Sequence, residues 1–513
     1  MRKVSRFLLI LCLGLTVSMT FAQTEGTLYF MNSLPQVMDV NPSIMPRYKL
    51  SIGLPGISSV GGVYTNNGFT YNDMTSRDAN GKMQADLTKL TGTLAPKNYV
   101  MAAGSVDILR VGFQANPNMY FMFNATAKGY SRSMVDKGLI ALIADGTAPL
   151  VNSFSNNSPQ QEGLSYLETG LTMAYRVNDK LTVGGRMKYL NGMANVTTDR
   201  SSVNVQVSDT YSINVVADAT AHSSGIQNYS NSGYNAFDHF GDYLGNNGAG
   251  IDLGVTYKFM EKLTFGLSII DLGFINWKNN TYQYRLDPAI ANYTFSGFDL
   301  NKALDGNTDY LNAQWAAAKD KFILQETPSG SYSTNLPTKF YLSGTYALNN
   351  GLSIGALFFS ENFRDRYSAG MTASANKTFG KVLTTSLSYT VSNRSYNNFG
   401  LGLSVNVSPV QFYLVGDNLL RAPVSLVTDQ SLNAYINSSQ VITVRAGLNL
   451  VFGWDKGLVR KEATNDETHN PKEKNTNGSK VKNTFGRSPE KSKKKKSKNS
   501  PAKAKPPKSK IGR

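Results

Sequence analysis

The chain has 513 residues, a net charge of +17 at neutral pH, 41% hydrophobic residues and a mean hydropathy of −0.28. Beyond the N-terminal segment no apolar run reaches the roughly 20 residues that cross a bilayer as a helix, which excludes a helical membrane protein. The single cysteine, Cys12, excludes a disulfide framework, a thiolate metal site and a cysteine nucleophile from the body of the chain. The charge is uneven. Nineteen basic and six acidic residues fall between Asp455 and Arg513, and Arg2, Lys3 and Arg6 open the chain, which leaves +1 for everything between. The body is balanced, and the basicity belongs to a tail rather than to a basic domain.

The first residues, MRKVSRFLLILCLGLTVSMTFAQ, have a basic start, an apolar run from Phe7 to Val17, and Thr20-Phe21-Ala22 ahead of Gln23. That is the layout of a secretory signal peptide over 1–22, with cleavage expected before Gln23. The run is too short for a comfortable spanning helix. Leu11 is bulky where a lipoprotein signal has a small residue before its cysteine, which speaks against lipidation of Cys12. An exported chain of this length without disulfides suits a bacterial envelope.

From there the pattern alternates with a period of two. In LTMAYRV, Leu171, Met173, Tyr175 and Val177 share one face, and Thr172, Ala174 and Arg176 share the other. GIDLGVTYKF sets Ile251, Leu253, Val255, Tyr257 and Phe259 against Asp252, Gly254, Thr256 and Lys258. KFYLSGTYAL and FGLGLSVNV repeat the arrangement. This is the strand period. Asn178-Asp179-Lys180 and Asn349-Asn350-Gly351 read as tight hairpin turns between such runs, whereas a long polar stretch separates Ala219 from Gly248. A soluble sandwich and a membrane barrel can both use alternation. Small and polar inward faces, runs near the 9–11 residues of a tilted spanning strand, and short turns alternating with long links point to the barrel. The expected fold is all-β: a transmembrane antiparallel β-barrel over 23–454, with a strand count that, read from the segments alone, could reach about 16 or 18.

VITVRAGLNLVFGW reads as the last strand. Ile442, Val444, Ala446, Leu448, Leu450 and Phe452 face one way, and Arg445, Gly447, Leu450 and Phe452 have the spacing of the signal that barrel assembly machinery reads on final strands. After Trp454 alternation stops. Lys, Asn, Ser and Pro dominate 455–513, ending in KSKKKKSKNSPAKAKPPKSK, and such a segment cannot bury enough apolar surface to fold. The expectation is a disordered Lys-rich tail in the periplasm. Its lysines would attract any polyanion, and the leader directs the chain away from nucleic acid towards anionic cell-wall polymer or an acidic protein. A solubilising tail with no specific partner is the plainer reading.

The body resembles a family of Bacteroidota outer-membrane barrels known as domain of unknown function 5723. The residues carrying the resemblance are Asn41-Pro42-Ser43, Gly53-Leu54-Pro55-Gly56, GRMKYLNGMANV from Gly185, NNGAGIDLGVTY from Asn246 and DLGFINW from Asp271. It spans about residues 28 to 454, where the alternating strands also lie. The family is distantly similar to fatty-acid transporter barrels and to the type IX secretion shuttle barrel. That implies about 14 strands and an N-terminal plug, to which Asn41-Pro42 and Gly53–Gly56 would belong unless they open the first strand.

Chemistry is sparse. Gly351-Leu352-Ser353-Ile354-Gly355 fits a hydrolase elbow in letters, but it sits in an alternating strand and needs a histidine partner. The only histidines are His222, His239 and His469. Asp238, His239 and Asp242 lie together in a polar loop without EF-hand spacing. No catalytic, metal or cofactor site is expected. Arg176, Arg186, Lys188, Lys258, Lys339 and Arg445 fall on the lumen parity, with Asp252 among few acids. They would either attract an anionic solute or join an internal ion-pair network with acids the sequence does not place. The leading function is a barrel in outer-membrane lipid that passes or captures a hydrophobic or small solute. The alternative is a plugged barrel that docks envelope or secretion-system proteins.

Overall fold

The structure is a computed structural model whose described residues lie between 25 and 454, with stretches inside that range, chiefly 146–152, 230–243, 296–307 and 418–440, left undescribed. The leader over 1–22, the tail and the Asp238–Asp242 cluster lie outside the described residues.

Fourteen antiparallel strands close into a barrel. The first, β1, comes in two pieces, Tyr48–Gly53 and Val60–Asn66. Then follow β2 (Lys97–Asn116), β3 (Met119–Asp136), β4 (Gln160–Arg176), β5 (Leu181–Val207), β6 (Asn247–Lys258) and β7 (Leu263–Trp277). The second half holds β8 (Thr338–Ala347), β9 (Leu352–Phe363), β10 (Arg366–Phe379), β11 (Leu383–Ser392), β12 (Ser395–Val407), β13 (Val410–Asp417) and β14 (Val441–Trp454). Closure is direct: Ile52 pairs with Val111 of β2 on one side and with Leu450 of β14 on the other.

The alternation becomes two faces. Leu171, Met173, Tyr175 and Val177 are exposed on the outside, while Thr172 and Ala174 are fully buried within. Leu253, Leu342, Leu387 and Phe399 continue the outer apolar surface around the wall. An exterior of this kind on a closed barrel is built to face hydrocarbon. Short turns gather at one end. The Asn178 side chain accepts from the Lys180 and Leu181 amides at 2.9 Å each, and Gly351 supplies the positive φ of 72° that the β8–β9 turn requires.

The other end carries the long connections. There β5 runs past the barrel to pair with Ile213–Ser224, which pairs in turn with Thr281–Leu286 and Asn292–Phe295. The polar stretch from Ala219 therefore begins as strand, not loop. Its hydroxyls and His222 sit in a sheet because β5 is too long to end at the rim.

Two irregularities matter for the interior. Residues 54–59 bulge out of β1 but remain stitched to both neighbours, with Gly56 N donating to Asp107 O and Leu448 N to Ile57 O, both at 2.9 Å. Gly53–Gly56 thus belongs to the first strand, whereas Asn41-Pro42 lies in the segment before it. In β7 a bulge at Ile270–Asp271 turns both side chains inward, with Asp271 at a φ of 61°.

Candidate functional site

The lumen is filled in three storeys. Nearest the short turns, residues 25–47 enter the barrel as a plug, with a helical turn at Gly26–Tyr29 and a 3-10 turn at Pro35–Asp39 started by Pro35. Leu28, Met31, Leu34, Val37 and Met38 are almost completely buried against Tyr120, Met122, Leu357, Phe359 and Tyr413 of the wall. The wall thins to glycine where the plug presses on it. A side chain at Gly184 would collide with the Pro42 carbonyl, and one at Gly355 with the Phe30 ring. Polar contacts fasten the plug around the circumference. Thr27 donates to Asp417 at 2.6 Å, Gln36 to Asn449 at 2.9 Å, and Ser268 to the Val40 carbonyl at 2.6 Å.

Above the plug lies a belt of charge. Asp39, at the end of the 3-10 turn, accepts from Arg110 at 2.9 and 3.0 Å and from Arg186 at 2.9 Å. Arg110 is also held by Asp107 at 2.6 Å. Lys188 reaches Asp252 at 2.7 Å and Asp271 at 2.5 Å, Lys128 reaches Glu168 at 2.7 Å, and Lys339 lies 3.5 Å from Asp271. Arg445 pairs with Glu25 of the plug. Six cations thus meet six carboxylates inside the barrel. Ions stay charged in such an interior only when paired and hydrogen-bonded.

Of the sequence-predicted basic residues, Arg186, Lys188, Lys339 and Arg445 meet in this belt. Arg176 and Lys258 do not; they sit at the short-turn rim, with backbone bonds to Asn118 and Lys180. Asp39, Glu25, Asp107, Arg110, Lys128, Glu168 and Asp271 were not picked out from the sequence. Asp107 and Arg110 both point inward because a register shift between Asp107 and Leu109 breaks the alternation of β2. Lys128 and Glu168 keep plain alternation and were legible in ATAKGYS and SYLETG.

The third storey, towards the long loops, is apolar and aromatic. Tyr130, Leu164, Tyr166, Leu190, Trp277, Leu336 and Phe363 pack together, with Trp277 Nε1 donating to Thr334 at 2.8 Å. Beside this cluster lies a chamber of about 1000 Å³. Arg132, Met134, Glu162 and Arg364 line it from the lumen side. Ile251, Leu272 and Phe274 line it too, and these are outward, exposed side chains of β6 and β7. The chamber lies against the stretch of wall that carries these outward side chains.

The β7–β8 ladder lapses along this stretch. It runs in register up to Ile270–Lys339 and resumes at Phe274–Asn335, where the short strand Tyr332–Asn335 takes over. Between them Pro337 has no amide to give. The Leu336 amide to Gly273 O at 2.9 Å and Thr338 Oγ1 to Asp271 O at 3.2 Å bridge the gap. A second, smaller cavity of about 90 Å³ sits below, between Asp271, Lys339, Tyr341 and the plug residues Glu25 and Asp39.

No catalytic constellation is assembled among the described residues. Ser353 lies next to the Gly351 turn at the short-turn end, while His222 sits in the sheet beyond the opposite rim, bonded to Asp199 at 2.6 Å.

A closed, plugged barrel with an apolar exterior and a charged interior is the class of protein these features define. A family model described as a family of unknown function (DUF5723) matches residues 42–417, and the chain belongs to that family. No curated protein matches the chain. Among solved structures, the toluene transporter TbuX of Ralstonia pickettii is similar at 10% identity, over 82% of this chain and 94% of that one, with a TM-score of 0.39. A FadL homologue of Pseudomonas aeruginosa matches at 10% identity over 84% and 97%, also at 0.39. The toluene transporter TodX of Pseudomonas putida matches at 9% over 85% and 94%, at 0.35.

Proposed function

We propose that the protein is an outer-membrane barrel that captures a small, partly hydrophobic solute through its side wall, with the plug controlling passage towards the periplasm. The observation that carries this reading is a chamber lying against the wall where the β7–β8 ladder lapses at Pro337. A solute dissolved in the outer leaflet would meet Ile251, Leu272 and Phe274 first and the lumen side next. The plug fills the barrel below, so onward passage requires it to shift. On this reading the surroundings are outer-membrane lipid, and the assembly machinery is the partner that reads β14.

The test is uptake by liposomes containing the mature protein, with Leu272→Cys labelled by a bulky maleimide. Uptake of a small apolar probe should fall on labelling, while the same label at Leu171→Cys, on the outside of β4, should leave it unchanged. Equal uptake from both labelled proteins refutes admission through the side wall.

A second reading, an interaction barrel, is favoured by one feature. The sheet continuing β5 beyond the rim, through Ile213–Ser224 and Thr281–Leu286, offers an ordered docking surface. A wild-type barrel without flux that copurifies with a defined envelope protein would favour it.

A further inference from the structure

Of the two cations lining the chamber, one has no ion pair among the described residues. Arg132, on β3, is 8% exposed and lines the chamber. Its guanidinium lies over the Phe363 ring, 5.0 Å from the centroid, and Nη2 makes one long bond of 3.4 Å to the Phe363 carbonyl. Nε is enclosed and donates to nothing, and Nη1, which is not enclosed, has no bond among the described residues. Among the described residues no carboxylate pairs with it. The nearby acid, Glu162, accepts instead from Arg364 at 2.7 and 3.0 Å and from Thr197 at 2.9 Å. Arg364 also approaches Asp199 at 3.7 Å. A buried guanidinium with an idle donor is costly unless something accepts from it.

The charge around it narrows the choice of acceptor. The two cations lining the chamber, Arg132 and Arg364, stand with two acids, Glu162 and Asp199. The field there is not positive, so a second carboxylate would be repelled by the first ones as much as drawn by Arg132. A neutral acceptor meets no such opposition. Met134 and Leu336 in the chamber's lining, with Ile251, Leu272 and Phe274 on the adjoining wall, suit a hydrocarbon chain.

We propose that the chamber is a binding site for a neutral single-chain amphiphile, whose hydroxyl, ester or amide head accepts a hydrogen bond from Arg132 while its chain lies towards the β7–β8 gap. The proposal deepens the solute-capture reading and rests on it for the route, but not for the binding itself. A bare hydrocarbon would leave Arg132 idle. A fatty carboxylate would bring a charge that the chamber does not balance. The small polar cavity beside Asp271 lies beyond this site, on the plug side, so the amphiphile head is read before the belt is reached.

The experiment is equilibrium binding to the full mature barrel in nanodiscs, read from Trp277, which packs in the aromatic cluster beside the chamber. The probes are decanol, decanoate and decane, on wild type, Arg132→Met and Arg132→Lys. A neutral hydrogen bond predicts a preference for decanol over decane of about tenfold. Arg132→Met should erase that preference without weakening decane, and Arg132→Lys should restore part of it. Unchanged heat-modifiability of the variants would show that both remain folded. A preference for decanoate, or a decanol preference that survives Arg132→Met, overturns the proposal, as does a wild type that binds none of the three. Binding without flux would sink the transport reading and keep this site. Flux with no decanol preference would do the reverse.

Discussion

The contact that most directly joins plug to barrel is Asp39 with Arg110 and Arg186, and Asp39→Asn tests what it does. The substitution keeps the side-chain size, removes the charge and turns one of two acceptor atoms into a donor facing an arginine. Three charge-assisted bonds of 2.9 to 3.0 Å are affected. Breaking a buried pair costs about 3–5 kcal/mol when the partner is left alone. Here neither arginine is. Arg110 keeps Asp107 at 2.6 Å, and Arg186 keeps Asp252 at 3.5 Å and Glu168 at 3.9 Å. Asp39 is also partly open to the cavity above it, its side chain 18% exposed. The expected loss is therefore about 2 kcal/mol, a shift of roughly thirtyfold in the ratio of displaced to seated plug. The assay follows from the cysteine count. With Cys12 the only natural cysteine, Val37→Cys, at a position with no exposure, gives a single thiol that reacts only when the plug leaves its seat. Its labelling rate should rise by about that factor in the Asp39→Asn background, while the heat-modifiable mobility of the barrel stays put. Equal labelling rates in the two backgrounds would refute the claim that this ion pair holds the plug.

Gly184→Val places a side chain against the Pro42 carbonyl and should unseat the same segment, seen as faster protease cleavage between residues 25 and 47 at constant barrel mobility. Leu253→Lys puts a charge on the outer face of β6, where the native side chain is exposed to hydrocarbon. It should cost about 2–4 kcal/mol in a urea titration in lipid if that face lies at the bilayer midplane, whereas Thr345→Lys, on the lumen parity of β8, should cost less. Gly447→Ala would drive a methyl group into the Ser58 carbonyl of the β1 bulge. Its folded yield should fall even in unaided refolding into lipid. Normal unaided folding with poor folding in cells would assign Gly447 to recognition by the assembly machinery instead.

The sequence by itself determined the wall. Alternation placed Leu171, Met173 and Tyr175 outside and Thr172 and Ala174 inside, because a strand sends successive side chains to opposite faces and a closed barrel leaves no third option. The same parity put Arg186 and Lys188 in the lumen, since β5 carries no bulge below them. It left Arg176 and Lys258 in the same group as the belt residues. Parity says which way a side chain points and not at what height it meets a partner.

Only the tertiary structure decided the rest. The acids that neutralise the belt come from the plug, as with Asp39 and Glu25, or from bulges such as those at Asp107 and Asp271, where an extra residue reverses the parity that the pattern predicts. The contacts that seat the plug link residues as far apart as Gln36 and Asn449. No local signal encodes such a pairing, because it exists only once fourteen strands have closed around a segment that precedes them. Pro337 was visible in the sequence as a residue without an amide. That it falls where the β7–β8 ladder lapses depended on which strand lies beside it, and closure of the barrel fixed that.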